Sequence, residues 1–165
     1  ELRHAEAQRL ASETKLQAVF NATPTAMIVS DAARNYAAVA VNDAWERQFQ
    51  RSRAQVMGLS GAEMGLWDSA EDRRRVLEAV ERDGSVAGFE TLLVRGDGVR
   101  LRCRIAARQV RAGDGDLLVM VQEDVTELRR AEAALRELNE ALDARVRERT
   151  EELARINEEL SGTLE

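Results

Sequence analysis

The chain has 165 residues, 44% hydrophobic and 33% charged, with a net charge of -6, a profile that fits one globular domain with charged helical extensions. The acidic balance argues against general affinity for nucleic acid or anionic membrane, and the longest strongly apolar run, Leu117 to Val121, is far short of the roughly 20 residues of a membrane span. A single cysteine, Cys103, and a single histidine, His4, exclude an intrachain disulfide and a Cys-rich metal site, remove most histidine-based chemistry, and fit a reducing cytoplasm.

In chain order, residues 1–22 read as an amphipathic helix with Leu2, Leu10, Leu16, Val19 and Phe20 among charges, stopped by Asn21, Thr23 and Pro24. No signal-peptide pattern opens the chain, and the start in mid-helix at Glu1 without Met reads as a piece of a longer protein. Ala26 to Ser30 and Ala37 to Val41 predict two strands paired as a hairpin across a polar turn. Asn42 and Asp43 are caps for a helix that sets Trp45 and Phe49 on one face. Three glycines between 52 and 67 predict brief helical turns and loops. Asp68 to Glu71 has capping-box spacing, with Asp68 as the cap of a helix that ends at Asp83-Gly84.

Three strands are expected next. The first is Val86 to Val94, which turns through Gly96-Asp97-Gly98. In the second, Val99, Leu101, Cys103, Ile105 and Ala107 alternate with Arg100, Arg102, Arg104 and Arg108, the period of two that marks one buried face. The third, Leu117 to Gln122, carries apolar residues on both faces and is read as a central strand covered on both sides.

Asp124-Val125-Thr126 is the expected hinge between this domain and a helix over residues 126–160, with residues 161–165 as a tail. Leu128, Leu135, Leu138, Leu142, Val146, Leu153, Ile156 and Leu160 sit at coiled-coil spacing. Leu135 to Val146 is eleven residues rather than seven, a stutter that locally unwinds a supercoil. A homodimeric coiled coil is the expectation.

The order of elements over about residues 16–128 resembles a PAS domain, with the sensor domain itself at residues 23–125: helix, two strands, short helices, a longer helix, three strands and an exit helix. Phe20-Asn-Ala-Thr-Pro24, Val41-Asn42, Leu66-Trp67, Arg95-Gly-Asp-Gly98 and Glu123-Asp-Val-Thr126 are similar to the family's local patterns. The resemblance implies an α+β fold: a five-stranded antiparallel sheet with helices on one face, flanked by the N-terminal helix and the long C-terminal one. The tail from Leu138 to Leu153 resembles the linker ahead of the kinase core in bacterial sensor histidine kinases. That implies a cytoplasmic sensory and dimerisation module whose signal passes through the coiled coil to an output domain. A diguanylate cyclase output and a ligand-free structural dimerisation module are the alternatives. The chain itself carries no phosphoacceptor histidine in its tail and no nucleophile-base pair, and is expected to have no catalytic activity.

Trp45, Phe49, Met57, Trp67 and Cys103 are the candidate pocket residues for a small-molecule ligand, with Met64 beside them. Core packing is the favoured role for so few aromatics. No resident cofactor is expected. Light-sensing relatives carry an Asn-Cys-Arg-Phe motif on a helix, which is absent here, and the expected helix from 68 to 84 contains no histidine for haem. The arginine row is read as a solvated sheet face, since 23 of the 24 basic residues are arginine. Neither nucleic acid, metal nor direct membrane insertion is expected.

Overall fold

The structure, a computed structural model, describes residues 1–164. The chain divides into two units, residues 1–125 and the helix that begins at Thr126.

In the first unit, helix α1 (Leu2–Ala22) is followed by strand β1 (Met27–Asp31), a short 3-10 turn and strand β2 (Ala37–Val41). Helices α2 (Asp43–Phe49), α3 (Arg53–Val56) and α4 (Ala70–Asp83) come next, then strands β3 (Ser85–Val94), β4 (Arg100–Ala112) and β5 (Gly115–Asp124). The five strands form one sheet in the order β2-β1-β5-β4-β3, with every neighbouring pair antiparallel. The expected hairpin and the central third strand are both present, as β1–β2 and β5.

The core lies between the inner sheet face and the helices. Ile28, Leu93, Leu101, Cys103, Ile105, Leu118 and Met120 meet Trp45, Phe49, Val56, Leu66, Val76 and Val80 there, all buried. The alternation read in β4 is visible in burial: Leu101, Cys103, Ile105 and Ala107 are buried, while Arg100, Arg102 and Arg108 are exposed. Two outward arginines pair with acids, Arg100 with Asp68 at 2.7 Å and Arg104 with Glu123 at 2.7 Å.

Three readings need correction. The cap of α4 is Ser69, whose hydroxyl accepts from Asp72 N at 3.1 Å. Asp68 is held one step earlier, by its backbone N–H to Leu92 O and by Arg100. The outer face of β5 is only half-buried at Leu117, Val119 and Val121, so it is not covered as its inner face is. The last helix runs past residue 160, to Gly162.

Buried polar groups bind the short helices to the sheet. Asn42 is fully buried and uses all its side-chain capacity. Its Oδ1 accepts from Met27 N at 2.9 Å and Trp45 N at 3.0 Å, and its Nδ2 donates to Phe20 O at 3.2 Å and Thr25 O at 2.9 Å. One side chain thus caps α2 and ties the last turn of α1 to the start of β1. The β3–β4 turn docks through Gly96, whose N–H reaches Phe49 O at 2.7 Å.

The second unit is one helix, α5 (Thr126–Gly162), of 37 residues; at 1.5 Å per residue it is roughly 55 Å long. Leu128, Leu135, Leu138, Leu142, Val146, Leu153, Ile156 and Leu160 are all exposed on it. Charged pairs such as Arg130–Glu127 and Arg149–Glu152 flank them.

Candidate functional site

The inner sheet face and α4 border a small, partly open cavity of about 30 Å³. Ile28 and Ser30 come from β1, Leu118, Met120 and Gln122 from β5, and Arg73 and Leu77 from α4. Tyr36, Gly61, Leu66 and Trp67 complete its lining. The strand residues arrive by the period of two, which aims 118, 120 and 122 to the same side. Tyr36 arrives by an unusual backbone: it and Asn35 have φ of 58° and 54°, a region that a bulky residue occupies only when its surroundings hold it there. The Tyr36 hydroxyl donates to Glu81 Oε1 across the gap to α4 at 3.1 Å. Burial, together with that carboxylate, pushes the Tyr36 phenol up from its ordinary range.

Gln122 is the polar residue on this inner face of β5 and is fully buried. Its Oε1 accepts from the Trp45 indole Nε1 at 2.9 Å, and its backbone carbonyl accepts from Gln48 Nε2 at 2.8 Å. The last strand is therefore joined to α2 by two side chains, two residues upstream of Asp124. Val125 is buried and its N–H reaches Arg102 O at 2.8 Å. α5 starts at the next residue, Thr126.

The five candidate pocket residues lie in three places. Trp45, Phe49 and Cys103 are fully buried in the core, with the Trp45 and Phe49 ring centroids 5.0 Å apart. Trp67 lines the inner cavity. Met57 is 37% exposed and lines a separate, larger groove of about 420 Å³ on the outer side, with Leu16, Phe20, Val29, Val39 and Arg53. Sequence reasoning missed Arg73, Tyr36 and Gln122. Gln122 could have been found, since it continues the inward period of Leu118 and Met120. Arg73 could too, since it lies three, four and seven residues before Val76, Leu77 and Val80 on one helix face, and only its charge hid it.

The thiol of Cys103 is pushed up to about 12 by burial, helped by the nearby Asp124 carboxylate, which suppresses the reactive thiolate. The cavity, at about 30 Å³, is an order of magnitude below the ~300 Å³ at which small-molecule pockets begin. Among the described residues, no three His, Cys, Asp or Glu gather to hold a metal. No described helix is long and apolar enough to cross a membrane.

Comparison with solved structures finds the same fold. An RNA-binding light-oxygen-voltage receptor aligns with a TM-score of 0.64 at 24% identity, covering 78% of this chain and 37% of its own. A PAS domain from a two-component sensor histidine kinase gives 0.62 at 13%, covering 70% and 98%. The PAS domain of an HTR-like protein from Haloarcula marismortui gives 0.63 at 21%, covering 74% and 98%. This chain thus spans little over a third of the first of these proteins. No curated protein matches it. The PAS domain family model matches residues 24–127, the sheet, the cavity and the end of β5 included, and the chain belongs to the PAS domain family.

Proposed function

We propose that this chain is the sensory and dimerisation module of a bacterial, cytoplasmic signal-transduction protein, and that its output is a histidine kinase. The observation that carries the reading is Gln122. It faces the inner cavity, is bonded to Trp45, and lies on the strand that ends at Asp124, next to α5. A change in the cavity that alters the Trp45–Gln122 bond reaches Asp124, Val125 and Thr126 along a single strand.

The exposed seam of α5 supports a dimer. Burying a valine, leucine or isoleucine contributes about 1.5–3 kcal/mol, and eight such residues on one helix are best buried against a second copy. The four-residue step from Leu142 to Val146, where the heptad requires three, gives the pair two rotational settings of similar energy. A ligand that favours one setting shifts the population of output states. The module performs no catalysis of its own. A diguanylate cyclase in place of the kinase would be driven by the same device.

Inserting one to four residues between Leu142 and Val146 in the full-length protein tests this. Autophosphorylation is expected to rise and fall with helical phase. Activity indifferent to phase would sink the relay, and a monomer in sedimentation experiments would sink the coiled coil. The small volume of the inner cavity favours one second reading, a structural dimerisation module with no ligand.

A further inference from the structure

The two ends of the Gln122 amide are unequally matched. The Trp45 indole Nε1 can only donate, so the amide oxygen faces it, at 2.9 Å. The amide nitrogen is left for the other side, where Nε2 donates to the Met120 sulfur at 3.2 Å. A thioether is a weak acceptor. Gln122 is fully buried, so a good donor inside the core meets one of the poorest acceptors a protein has. Among the described residues, Met120 is also the only methionine whose sulfur accepts a hydrogen bond.

A stronger acceptor at that sulfur would find its donor already in place. It would also find room. Met120 and Gln122 both line the inner cavity. One oxygen-sized atom needs about 10–15 Å³ of such volume, so a space of about 30 Å³ takes an oxygen on the sulfur without repacking, and admits a molecule of two oxygens. The cavity is partly open and Met120 keeps 6% of its surface exposed, which gives a small oxidant its approach.

We infer that Met120 is a site of oxidation by hydrogen peroxide, and that its sulfoxide weakens the Trp45–Gln122 bond. No ligand is held; the signal is the modification itself. The sulfur lone pair attacks one peroxide oxygen. An S–O bond forms, the O–O bond breaks, the sulfur gives up two electrons, and the second oxygen leaves with both protons as water. The sulfoxide is polar where the thioether was apolar, and its oxygen is a strong acceptor for Gln122 Nε2. An amide is a rigid plane, so turning its nitrogen towards the new oxygen draws Oε1 away from the Trp45 indole. A methionine sulfoxide reductase reverses the step, its two thiols becoming a disulfide as the oxygen returns to water. The inference rests on the reading of Gln122 as the start of the relay, and it names a chemical input for it.

The test exposes the 15N-labelled 165-residue chain to hydrogen peroxide and stops the reaction with catalase. Peptide mass spectrometry places each added oxygen, and NMR follows the indole N–H of Trp45. Met57, at 37% exposure, sets the rate of an open thioether. A sulfur reached only through global unfolding would lag it by roughly a thousand-fold or more. Met120 should lag by less than that, and the Trp45 indole should shift in step with oxygen at Met120. Met120→Leu nearly conserves volume and should remove the peroxide-dependent shift while Met57 is still oxidised. The double variant Met57→Leu, Met64→Leu should keep the shift, and it serves if Met120→Leu fails to fold. A lag of roughly a thousand-fold or more, a Trp45 indole unmoved by oxygen at Met120, a shift that persists in Met120→Leu, or its loss in the folded double variant would each overturn the proposal. A Met120 inert to peroxide leaves the phase experiment on α5 untouched, so the two readings fail separately.

Discussion

Asn42→Ala is the substitution whose cost the structure fixes most directly. The alanine removes four hydrogen bonds at once and leaves the Met27 and Trp45 N–H groups, and the Phe20 and Thr25 carbonyls, without the partner they had. Each buried N–H left unpaired costs about 1–3 kcal/mol, whereas a carbonyl has a second lone pair and tolerates the loss better. The two N–H groups set the scale, and the loss should be about 3–5 kcal/mol. That is a large share of the ~5–15 kcal/mol that holds a domain folded. Urea unfolding followed by Trp45 fluorescence would read it as a midpoint shift of about 1.5–2.5 M, for a slope of about 2 kcal/mol/M. Asn42→Ser keeps a cap acceptor for Trp45 N but cannot reach Phe20 or Thr25, so it should recover about 1 kcal/mol. An alanine variant that loses under about 1 kcal/mol, or a serine variant that recovers nothing, would refute the assignment of these four bonds.

Trp45→Phe and Gln122→Leu each break the same buried bond, and a double-mutant cycle in urea should return a coupling of about 1 kcal/mol or more; additive losses would detach α2 from β5. Gly96→Ala should cost about 1–3 kcal/mol, because a methyl there would overlap the Gln50 carbonyl oxygen, while Gly115→Ala meets nothing within 4 Å and should be near neutral; equal thermal midpoints would refute the close approach. The raised Cys103 pKa is a stability statement with a definite sign. The folded thiol titrates at about 12 and the unfolded one near 8.5, so its contribution is complete below about pH 8.5 and is lost as pH rises towards 12. Cys103→Val should flatten that alkaline slope, and a thiol reagent at pH 8 should label the native chain only at the unfolding rate; rapid labelling of folded protein would contradict the burial.

The sheet was legible because two signals agreed. Turn residues separated the strands, and the arginine alternation in β4 fixed which face is buried. The strand with apolar residues on both faces was rightly placed at the centre, but its position did not imply an outer cover, since Leu117, Val119 and Val121 remain half-buried. Asp68 and Ser69 are both good caps by residue type. The choice fell to Ser69 because Asp68 is drawn to Arg100, 32 residues away, a contact that no local pattern encodes. The candidate pocket failed to converge for a similar reason. Aromatic and sulfur side chains mark apolar volume, and here Trp45, Phe49 and Cys103 fill that volume instead of lining a space. The polar residues that do line it include Arg73, whose charge hides its place on the apolar face of α4, and Tyr36, which lies in the turn between β1 and β2.

The arrangement gives α2 a role out of proportion to its seven residues. A helix that short has no stability of its own, so it exists only through what holds it. At its start, Asn42 ties it to the last turn of α1 and to β1. In its middle, Trp45 and Gln48 tie it to Gln122 on β5. At its end, Phe49 O receives Gly96 N from the β3–β4 turn. Both flanks of the domain, the incoming α1 and the outgoing β5, therefore meet on one small element. Coupling between distant sites needs an element that both can bias. α2 meets that condition through hydrogen bonds, which are directional and are lost within a fraction of an ångström. An apolar contact would instead tolerate sliding. A shift of α2 too small to disturb the core would thus be enough to break the Trp45–Gln122 bond.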